Sequence, residues 1–213
     1  MTENKFKEIY TLLHDHFGPQ GWWPGDSPFE IMVGAVLTQN TNWENVRKAI
    51  SNLQEAGMLS FPALSSLPVD DLAQLIKPSG YFNIKARRLK NLLQMISERY
   101  KGKLELFLDE DLPHGRDALL SVNGIGPETA DSILLYAANH PIFVVDAYTH
   151  RIFSRHHLTA EETDYHSLQE QFHDRLPQQS ALYNEYHALI VTLGKGYCRK
   201  NNPRCTQCPL QGV

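Results

Sequence analysis

A short glycine motif precedes a strongly helical segment in the middle of the chain. Residues 122–137 read VNGIGPETADSILLYA, in which Gly124 and Gly126 flank Ile125. Glycine permits a tight turn and the close approach of another backbone. The free N–H groups at the start of a helix bind anions such as phosphate, so the candidate phosphate-binding residues are Gly124, Ile125, Gly126 and Thr129. The alternative is a simple turn between two packed helices.

A candidate catalytic carboxylate follows this motif. The segment IFVVDAYTHRIFSR places Asp146 between an apolar run and a new helix. Taken alone, the position is typical of a helix N-cap. A carboxylate can also act in catalysis as a general base, and the glycine motif upstream favours this catalytic interpretation of Asp146.

A third group of potentially functional residues, a set of cysteines, lies near the end of the sequence. The only cysteines of the chain are Cys198, Cys205 and Cys208, in the pattern C-x₆-C-x₂-C. An odd number at such tight spacing argues against a disulfide framework. Basic residues in the same loop are candidate phosphate contacts, namely Arg199, Lys200 and Arg204.

Helical periodicity dominates the elements that must position these residues. Apolar positions recur at helical spacing in residues 4–17 and 84–100, and FEIMVGAVLTQNT is apolar enough for a buried helix. Asn42 is a candidate cap of the next helix, and Asp70 or Asp71 of a shorter one. Only the segment IFVV has strand-like composition, and it is too short to decide. The pattern predicts an all-α fold.

Composition and charge narrow the class of protein. The 213 residues suffice for one large or two small domains, and 42% hydrophobic with 21% charged residues is ordinary for a globular protein. The sequence has no apolar run of about 18 residues, and its polar start is unlike a signal peptide, so a cytoplasmic, nucleoid-associated protein is expected. The net charge of −4 argues weakly against nucleic acid. A basic stretch from Lys85 to Lys103 is either a solvated face or a nucleic-acid-binding surface.

Several motifs together resemble the endonuclease III superfamily of helix–hairpin–helix DNA glycosylases. They are GAVLTQNT, PSGYFNIKARRL, NGIG, VVDAY and HALIVTLGKGYC, and they extend over nearly the whole chain. The resemblance implies two helical lobes with a DNA-binding cleft between them, namely a helical barrel over 25–137 and a lobe formed by 1–24 with 138–213. It implies that Gln39 fills the gap left by an extruded base and that Asp146 is catalytic. The expected partner is damaged double-stranded DNA, bound by a monomer.

The residue Glu128 bears on the type of glycosylase. Bifunctional members of the superfamily keep a lysine at this place, whose amine attacks the sugar and leads to strand cleavage. A carboxylate cannot form a Schiff base, so the sequence predicts a monofunctional glycosylase in which water completes the displacement. Glu128 either has a chemical role at this site or simply suits the positive start of a helix.

The closer resemblance is to the 3-methyladenine DNA glycosylase branch, which also has glutamate in the hairpin helix. Alkylated purines carry a positive charge, so they leave without an acid and stack well on electron-rich rings. The candidate residues of a pocket for a flipped base are Trp22, Trp23, Pro24, Trp43 and Gln39. The alternative for the tryptophans is packing in the core.

Three other functions remain open from the sequence. A glycosylase for mispaired uracil, thymine or adenine would use the same Asp146. A bifunctional glycosylase and lyase needs an amine, which Lys85 or another lysine could provide. A non-enzymatic DNA-binding or redox-sensing protein with an iron–sulfur centre would not depend on Asp146.

The resemblance also implies a [4Fe–4S] cluster in the cysteine loop, held by four thiolates. The family pattern continues with x₅-C after Cys208, so its fourth ligand falls one position past Val213. Either the sequence continues or the last ligand is absent. The alternatives are a cluster on three thiolates, a zinc site completed by a histidine, or an empty loop.

Overall fold

The computed structural model describes residues 4–22 and 25–213. Within these ranges the chain is helical and contains no β-strand, which confirms the predicted all-α class; the segment 142–145 has no regular secondary structure. The helices are α1 (Lys5–Phe17), α2 (Pro28–Leu37), α3 (Trp43–Glu55), α4 (Phe61–Ser66), α5 (Val69–Leu75), α6 (Phe82–Tyr100), α7 (Leu104–Leu108), α8 (Leu112–Leu120), α9 (Pro127–Tyr136), α10 (Ala147–Arg155), α11 (Tyr165–Arg175) and α12 (Ser180–Gly196). None of the helices described is both long enough and apolar enough to cross a bilayer.

Side-chain caps fix several of the helix starts. Asn42 accepts a hydrogen bond from the backbone N–H of Asn45 at the start of α3, as the sequence predicts. The prediction that Asp70 or Asp71 caps α5 is wrong, because Pro68 occupies the cap position and makes no side-chain cap bond. Both aspartates lie in the first turn instead, where their charge suits the positive end of the helix.

The chain divides into two compact units, one formed by Met1–Trp22 with His140–Val213 and the other by Trp23–Asn139. The boundaries expected from the sequence, after residues 24 and 137, differ from these by two residues each. The glycine motif therefore belongs to the central unit, whereas Asp146 and the cysteines belong to the unit that joins both ends of the chain.

The central unit is built around α2, whose residues are buried on nearly every side. Its neighbours in the unit are α3, α6 and α9. Apart from Glu30, the helix is apolar. Such a helix must be surrounded by other helices, because each buried apolar side chain contributes about 1.5–3 kcal/mol only when water is excluded. The end of α2 leads directly into the segment that carries Gln39.

The terminal unit has an aromatic core. Phe143 stacks on Phe172 with ring centroids 3.7 Å apart, and Phe6 packs edge-on against Phe172 at 4.9 Å. The buried hydroxyl of Tyr186 donates to the carbonyl of Phe6 at 2.8 Å. These contacts join α1, α11 and α12 to the segment before α10, and they fix the position at which α10 begins.

Candidate active site

The glycine motif forms a tight hairpin between α8 and α9. The backbone N–H of Ile125 donates to the carbonyl of Val122 at 3.0 Å, and the side chain of Ile125 is buried. Gly124 has a φ of +96°. A Cβ atom at this position would lie 2.8 Å from both Cδ and Nε of Arg88. The hairpin therefore needs glycine at position 124 both for its backbone conformation and for the space that Arg88 occupies.

The helix after the hairpin begins without a side-chain cap. Gly126 is the N-cap residue of α9 and Pro127 follows it. Glu128 is exposed in the first turn, while Thr129 is only 7% exposed. An uncapped helix start with an adjacent glycine leaves backbone N–H groups for an anion. The role of Glu128 in the reaction and of Thr129 in DNA binding stays a prediction.

Gln39 is bonded to the hairpin by its side chain. Its Nε2 donates to the carbonyl of Gly124 at 3.1 Å and to Oγ1 of Thr129 at 2.9 Å. Its Oε1 accepts a hydrogen bond from Nη1 of Arg88. Sequence analysis predicted Gln39, the hairpin and Thr129 as separate site residues, and the structure brings them together. It identified Arg88 only as one of the basic residues between Lys85 and Lys103.

Asp146 caps α10 and is almost enclosed, with a side chain 13% exposed. Its Oδ1 accepts from the backbone N–H of Thr149 at 2.7 Å and from the Thr149 hydroxyl at 3.0 Å. Its Oδ2 lies 3.5 Å from Nε2 of His187. Burial alone raises the pKa of Asp146, but hydrogen bonding and charge from His187, together with the Thr149 bonds, outweigh burial and hold that pKa below its ordinary value. The carboxylate is thus ionised at neutral pH.

His187, on α12, is a site residue that sequence analysis missed. Its side chain is 7% exposed, and the indole of Trp22 stacks on its ring with centroids 5.8 Å apart and an interplanar angle of 25°. The segment before Trp22 is fastened to α12, since the backbone N–H of Gln20 donates to Glu185 at 2.6 Å and Thr192 donates to the Gln20 side chain at 2.9 Å.

A glycine sets how closely α12 approaches α10. A Cβ atom at Gly194 would lie 2.8 Å from Cγ of Tyr148. Gly194 is two helical turns beyond His187, so both face α10. Because the Tyr148 ring fills this space, α12 packs against the first turn of α10 and His187 reaches Asp146. A glycine seven residues after a histidine in an apolar helix was the available sequence signal.

The predicted base-pocket residues are distributed over both units. Trp22 stacks on His187, which faces Asp146, whereas Trp43 belongs to the central unit. Trp23 and Pro24 lie outside the described residues. Trp43 lines a cavity of about 310 Å³ together with Gly25, Asp26, Glu30, Arg47, Ile50 and Gln54. The lining thus combines an indole and two carboxylates with the guanidinium of Arg47, which is bonded to Glu44.

Lys85 is buried, and its amine is hydrogen-bonded within the fold. It is 1% exposed, and its Nζ donates to the Leu37 carbonyl at 2.8 Å, the Thr41 hydroxyl at 2.9 Å and the Ser79 carbonyl at 2.7 Å. Burial, with a smaller contribution from the charge of Arg88, lowers the pKa of Lys85 to about 8. An amine enclosed in this way cannot reach a sugar, so Lys85 is a structural residue rather than a nucleophile.

The cysteine loop is held in place from α10. Nε of Arg151 donates to the Cys198 carbonyl at 2.8 Å. Nη1 of Arg155 lies 3.4 Å from Sγ of Cys198 and donates to the Arg199 carbonyl at 2.7 Å, while Nη2 donates to the Lys200 carbonyl at 3.0 Å. The side chains of the predicted phosphate contacts are exposed, namely Arg199, Lys200 and Arg204.

The three thiols form a donor set that fits an iron–sulfur cluster in part. All three are free, with Cys198 buried and Cys205 exposed. Burial raises the pKa of the Cys208 thiol, and the neighbouring Cys198 and Cys205 raise it further, so both of these thiols lie near Cys208. In the described part of the chain they do not all lie within 4.8 Å of one another, whereas ligands of a single zinc ion are about 3.8 Å apart.

Comparison with known proteins identifies the family. The model of the HhH-GPD superfamily of base excision DNA repair proteins matches residues 33–178. A provisionally named DNA repair glycosylase of Methanocaldococcus jannaschii is 46% identical over 215 residues, covering 99% of this chain and 97% of the relative.

Solved structures agree with this relationship. The crystal structure of the 3-methyladenine DNA glycosylase of H. pylori bound to 1,N6-ethenoadenine has a TM-score of 0.78 and 32% identity, covering 89% of this chain and 97% of that one. An endonuclease III–DNA complex has a TM-score of 0.83 at 21% identity, covering 98% and 93%, and it shows the likeness of fold. The chain therefore belongs to the HhH-GPD superfamily of base excision DNA repair proteins, with an endonuclease III-like helix–hairpin–helix fold, and is a DNA glycosylase that hydrolyses N-glycosyl bonds.

Proposed function

We propose that this DNA glycosylase is monofunctional and releases alkylated purines such as 3-methyladenine from damaged duplex DNA, with Asp146 as its catalytic carboxylate. The observation that carries the proposal is the environment of Asp146. Thr149 fixes one carboxylate oxygen with two hydrogen bonds, and His187 faces the other. The group is thus ionised, oriented and shielded from bulk water.

The proposed reaction breaks the bond between C1′ and the base nitrogen, and its electron pair goes to the base. A purine alkylated on a ring nitrogen is cationic, so it leaves as a neutral molecule without protonation. The sugar becomes positively charged, and water then bonds to C1′ and gives up a proton. Asp146 would stabilise the sugar cation and accept that proton.

Two observations support a mechanism without a covalent enzyme intermediate. The position typical of a catalytic lysine holds Glu128, and the amine of Lys85 is buried with three acceptors. Neither residue can form a Schiff base with the sugar. A strand-cutting lyase reaction is therefore not expected.

A cationic base is also favoured by the aromatic surroundings. Trp22 stacks on His187, the partner of Asp146, and Trp43 shares a cavity with the carboxylates of Asp26 and Glu30 and with Arg47, whose charge is paired with Glu44. Electron-rich rings and carboxylates attract cations, by about 0.5–2 kcal/mol for each ring contact. The H. pylori relative of known structure binds a modified adenine. With Gln39, Trp23 and Pro24, these tryptophans remain the residues proposed to contact the flipped base.

Phosphate contacts would provide most of the affinity for DNA. The hairpin Gly124–Gly126 offers backbone N–H groups at the start of α9, and Arg199, Lys200 and Arg204 offer exposed charges. Such binding is sequence-independent and weakens steeply with salt. We expect the protein to act as a monomer on the DNA of the nucleoid.

The cysteine loop is proposed to hold an iron–sulfur cluster, with thiolates from Cys198, Cys205 and Cys208. When bound, the cluster would cross-link the loop and so fix the backbone that carries Arg199 and Arg204. The bonds from Arg151 and Arg155 already hold the first half of this loop. Iron and sulfide content of the purified protein, with its visible absorbance, tests the proposal directly.

The test of function is base release from defined duplexes. Wild-type protein and Asp146→Asn are incubated with methylated DNA and with duplexes containing uracil, thymine or adenine mispairs. Release of 3-methyladenine by the wild type, lost in Asp146→Asn, is expected. Release from mispairs alone would overturn the alkylpurine assignment, and a borohydride-trapped adduct would overturn the monofunctional mechanism.

A further inference from the structure

Arg88 connects two parts of the central unit that sequence analysis treated separately. Its guanidinium donates to Oε1 of Gln39, and its aliphatic stem lies across Gly124 in the hairpin. Arg88 is half-buried on α6. One turn further along the same helix, Asn91 donates to the carbonyl of Asn123 at 3.1 Å. The helix α6 therefore contacts both Gln39 and the hairpin.

The amide of Gln39 is held at both ends. Both of its N–H groups have acceptors, the carbonyl of Gly124 and the hydroxyl of Thr129. The oxygen has a charged donor in Arg88. A flexible glutamine side chain is ordinarily spread over many rotamers, and a bond to a charged group is stronger than a neutral one. Arg88 is the only one of these three partners that carries a charge.

The hairpin glycine makes this arrangement possible. A side chain at position 124 would collide with Cγ, Cδ and Nε of Arg88. These atoms lie in the middle of the arginine side chain, so the guanidinium could not stay on Gln39 while the stem moved away. Gly124 thus provides the space in which Arg88 lies.

We infer that Arg88 is a positioning residue for base excision, which holds the Gln39 amide against the hairpin so that binding of the DNA backbone and filling of the gap left by the extruded base occur together. This inference rests on the proposed function, because it takes Gln39 as the residue that fills the gap. Arg88 itself need not touch the reacting atoms. Its bond to Gln39 sets where the amide points before DNA arrives, and so lowers the entropy lost on binding.

A simpler role for Arg88 would be attraction of the DNA backbone. Arg87 provides a matched control for this alternative, because it carries the same charge at the next position of α6 and is exposed. Arg88→Met keeps an apolar stem of similar length beside Gly124 and removes every donor. Arg87→Met removes an equal charge without touching Gln39.

The experiment compares affinities for two duplexes that differ only in a central tetrahydrofuran abasic-site analogue. The ratio is the dissociation constant of the intact duplex divided by that of the duplex with the abasic-site analogue. It measures recognition of the gap, since phosphate contacts are common to both duplexes. We expect Arg88→Met to lower this ratio about tenfold. Arg87→Met should weaken both duplexes alike and leave the ratio within about twofold. In a Gln39→Leu background, Arg88→Met should have no further effect on the ratio.

Three results would overturn the inference. They are an equal change of the ratio in Arg88→Met and Arg87→Met, an undiminished effect of Arg88→Met in the Gln39→Leu background, and a wild-type ratio near one. Thermal unfolding of each variant separates loss of fold from loss of recognition. Failure of the wild type to release 3-methyladenine would defeat the proposed function alone, because the binding ratio is measured without any base release.

Discussion

Glu128 and Asp146 both lie at the start of a helix, yet the two carboxylates lie in different environments. Glu128 is exposed in the first turn of α9, which has no side-chain cap. Asp146 caps α10, is nearly enclosed, and has Thr149 and His187 as partners. A local sequence rule treats both as anions at the positive end of a helix. Burial and the contact with His187 are what make Asp146 the better candidate for a catalytic role.

Of the two carboxylates, Asp146 should show the larger loss of base release when it is replaced. Asn still caps a helix, so Asp146→Asn should fold normally while base release falls about 10²- to 10⁴-fold. Single-turnover release of 3-methyladenine measures the loss, and circular dichroism checks the fold. Retention of more than about a tenth of the wild-type rate would place the catalytic charge elsewhere.

The buried Lys85 of the central unit is the counterpart of the buried Asp146. Its amine is held by neutral acceptors instead of an opposite charge. Its pKa of about 8 lies below the ordinary value of 10.5, so the unfolded chain binds more protons between these values. Burying the charged amine therefore costs stability below pH 8, and that cost is relieved as pH rises toward 10.5.

Urea unfolding of wild type and Lys85→Met at several pH values tests this assignment. Between pH 8 and 10.5 the unfolding free energy of the wild type should rise relative to the variant by at most about 3 kcal/mol. The relative stability should be flat below pH 7. A relative stability that falls over the alkaline range would contradict the depressed pKa of Lys85.

The partner of Asp146 should have a smaller effect than Asp146 itself. Without His187, burial raises the pKa of Asp146, so His187→Leu should slow base release about tenfold and move the acidic limb of the rate–pH profile to higher pH. An unchanged acidic limb would show that His187 serves packing alone.

Glutamine at position 187 is the matched variant, because its amide can still donate to Oδ2 of Asp146. His187→Gln should restore the rate more than His187→Leu, although neither keeps the ring that stacks on Trp22. Equal rates in the two variants would favour the stacking contact over the hydrogen bond as the useful part of His187.

The smallest effect is expected at the other carboxylate. Glu128→Gln removes a charge from the start of α9, which is worth about 0.3–1 kcal/mol. The rate of base release should stay within about threefold of that of the wild type. Added salt should reduce the difference in rate between the variant and the wild type. A loss comparable to that of Asp146→Asn would show that the exposed carboxylate also takes part in the chemistry.

The longer helices and their order follow from the sequence alone, because periodic apolar residues and local caps act within a few positions along the chain, whereas the short helix α4 lies where Pro62 suggested a loop. The hairpin, Asp146 and the cysteine spacing were recognisable for the same reason. The all-α class and the superfamily were confirmed, whereas the assumed cap at Asp70 or Asp71 was wrong because the preceding proline takes that position.

Tertiary structure alone decided which of these residues have partners. Gln39 meets Gly124 across 85 positions and Arg88 across 49, and His187 reaches Asp146 only because Gly194 lets α12 approach Tyr148. Lys85 changed from a possible nucleophile to a buried structural ion by the same kind of long-range packing. No local pattern encodes such contacts, since they depend on how whole helices pack, and burial rather than residue type then separates Asp146 from Glu128.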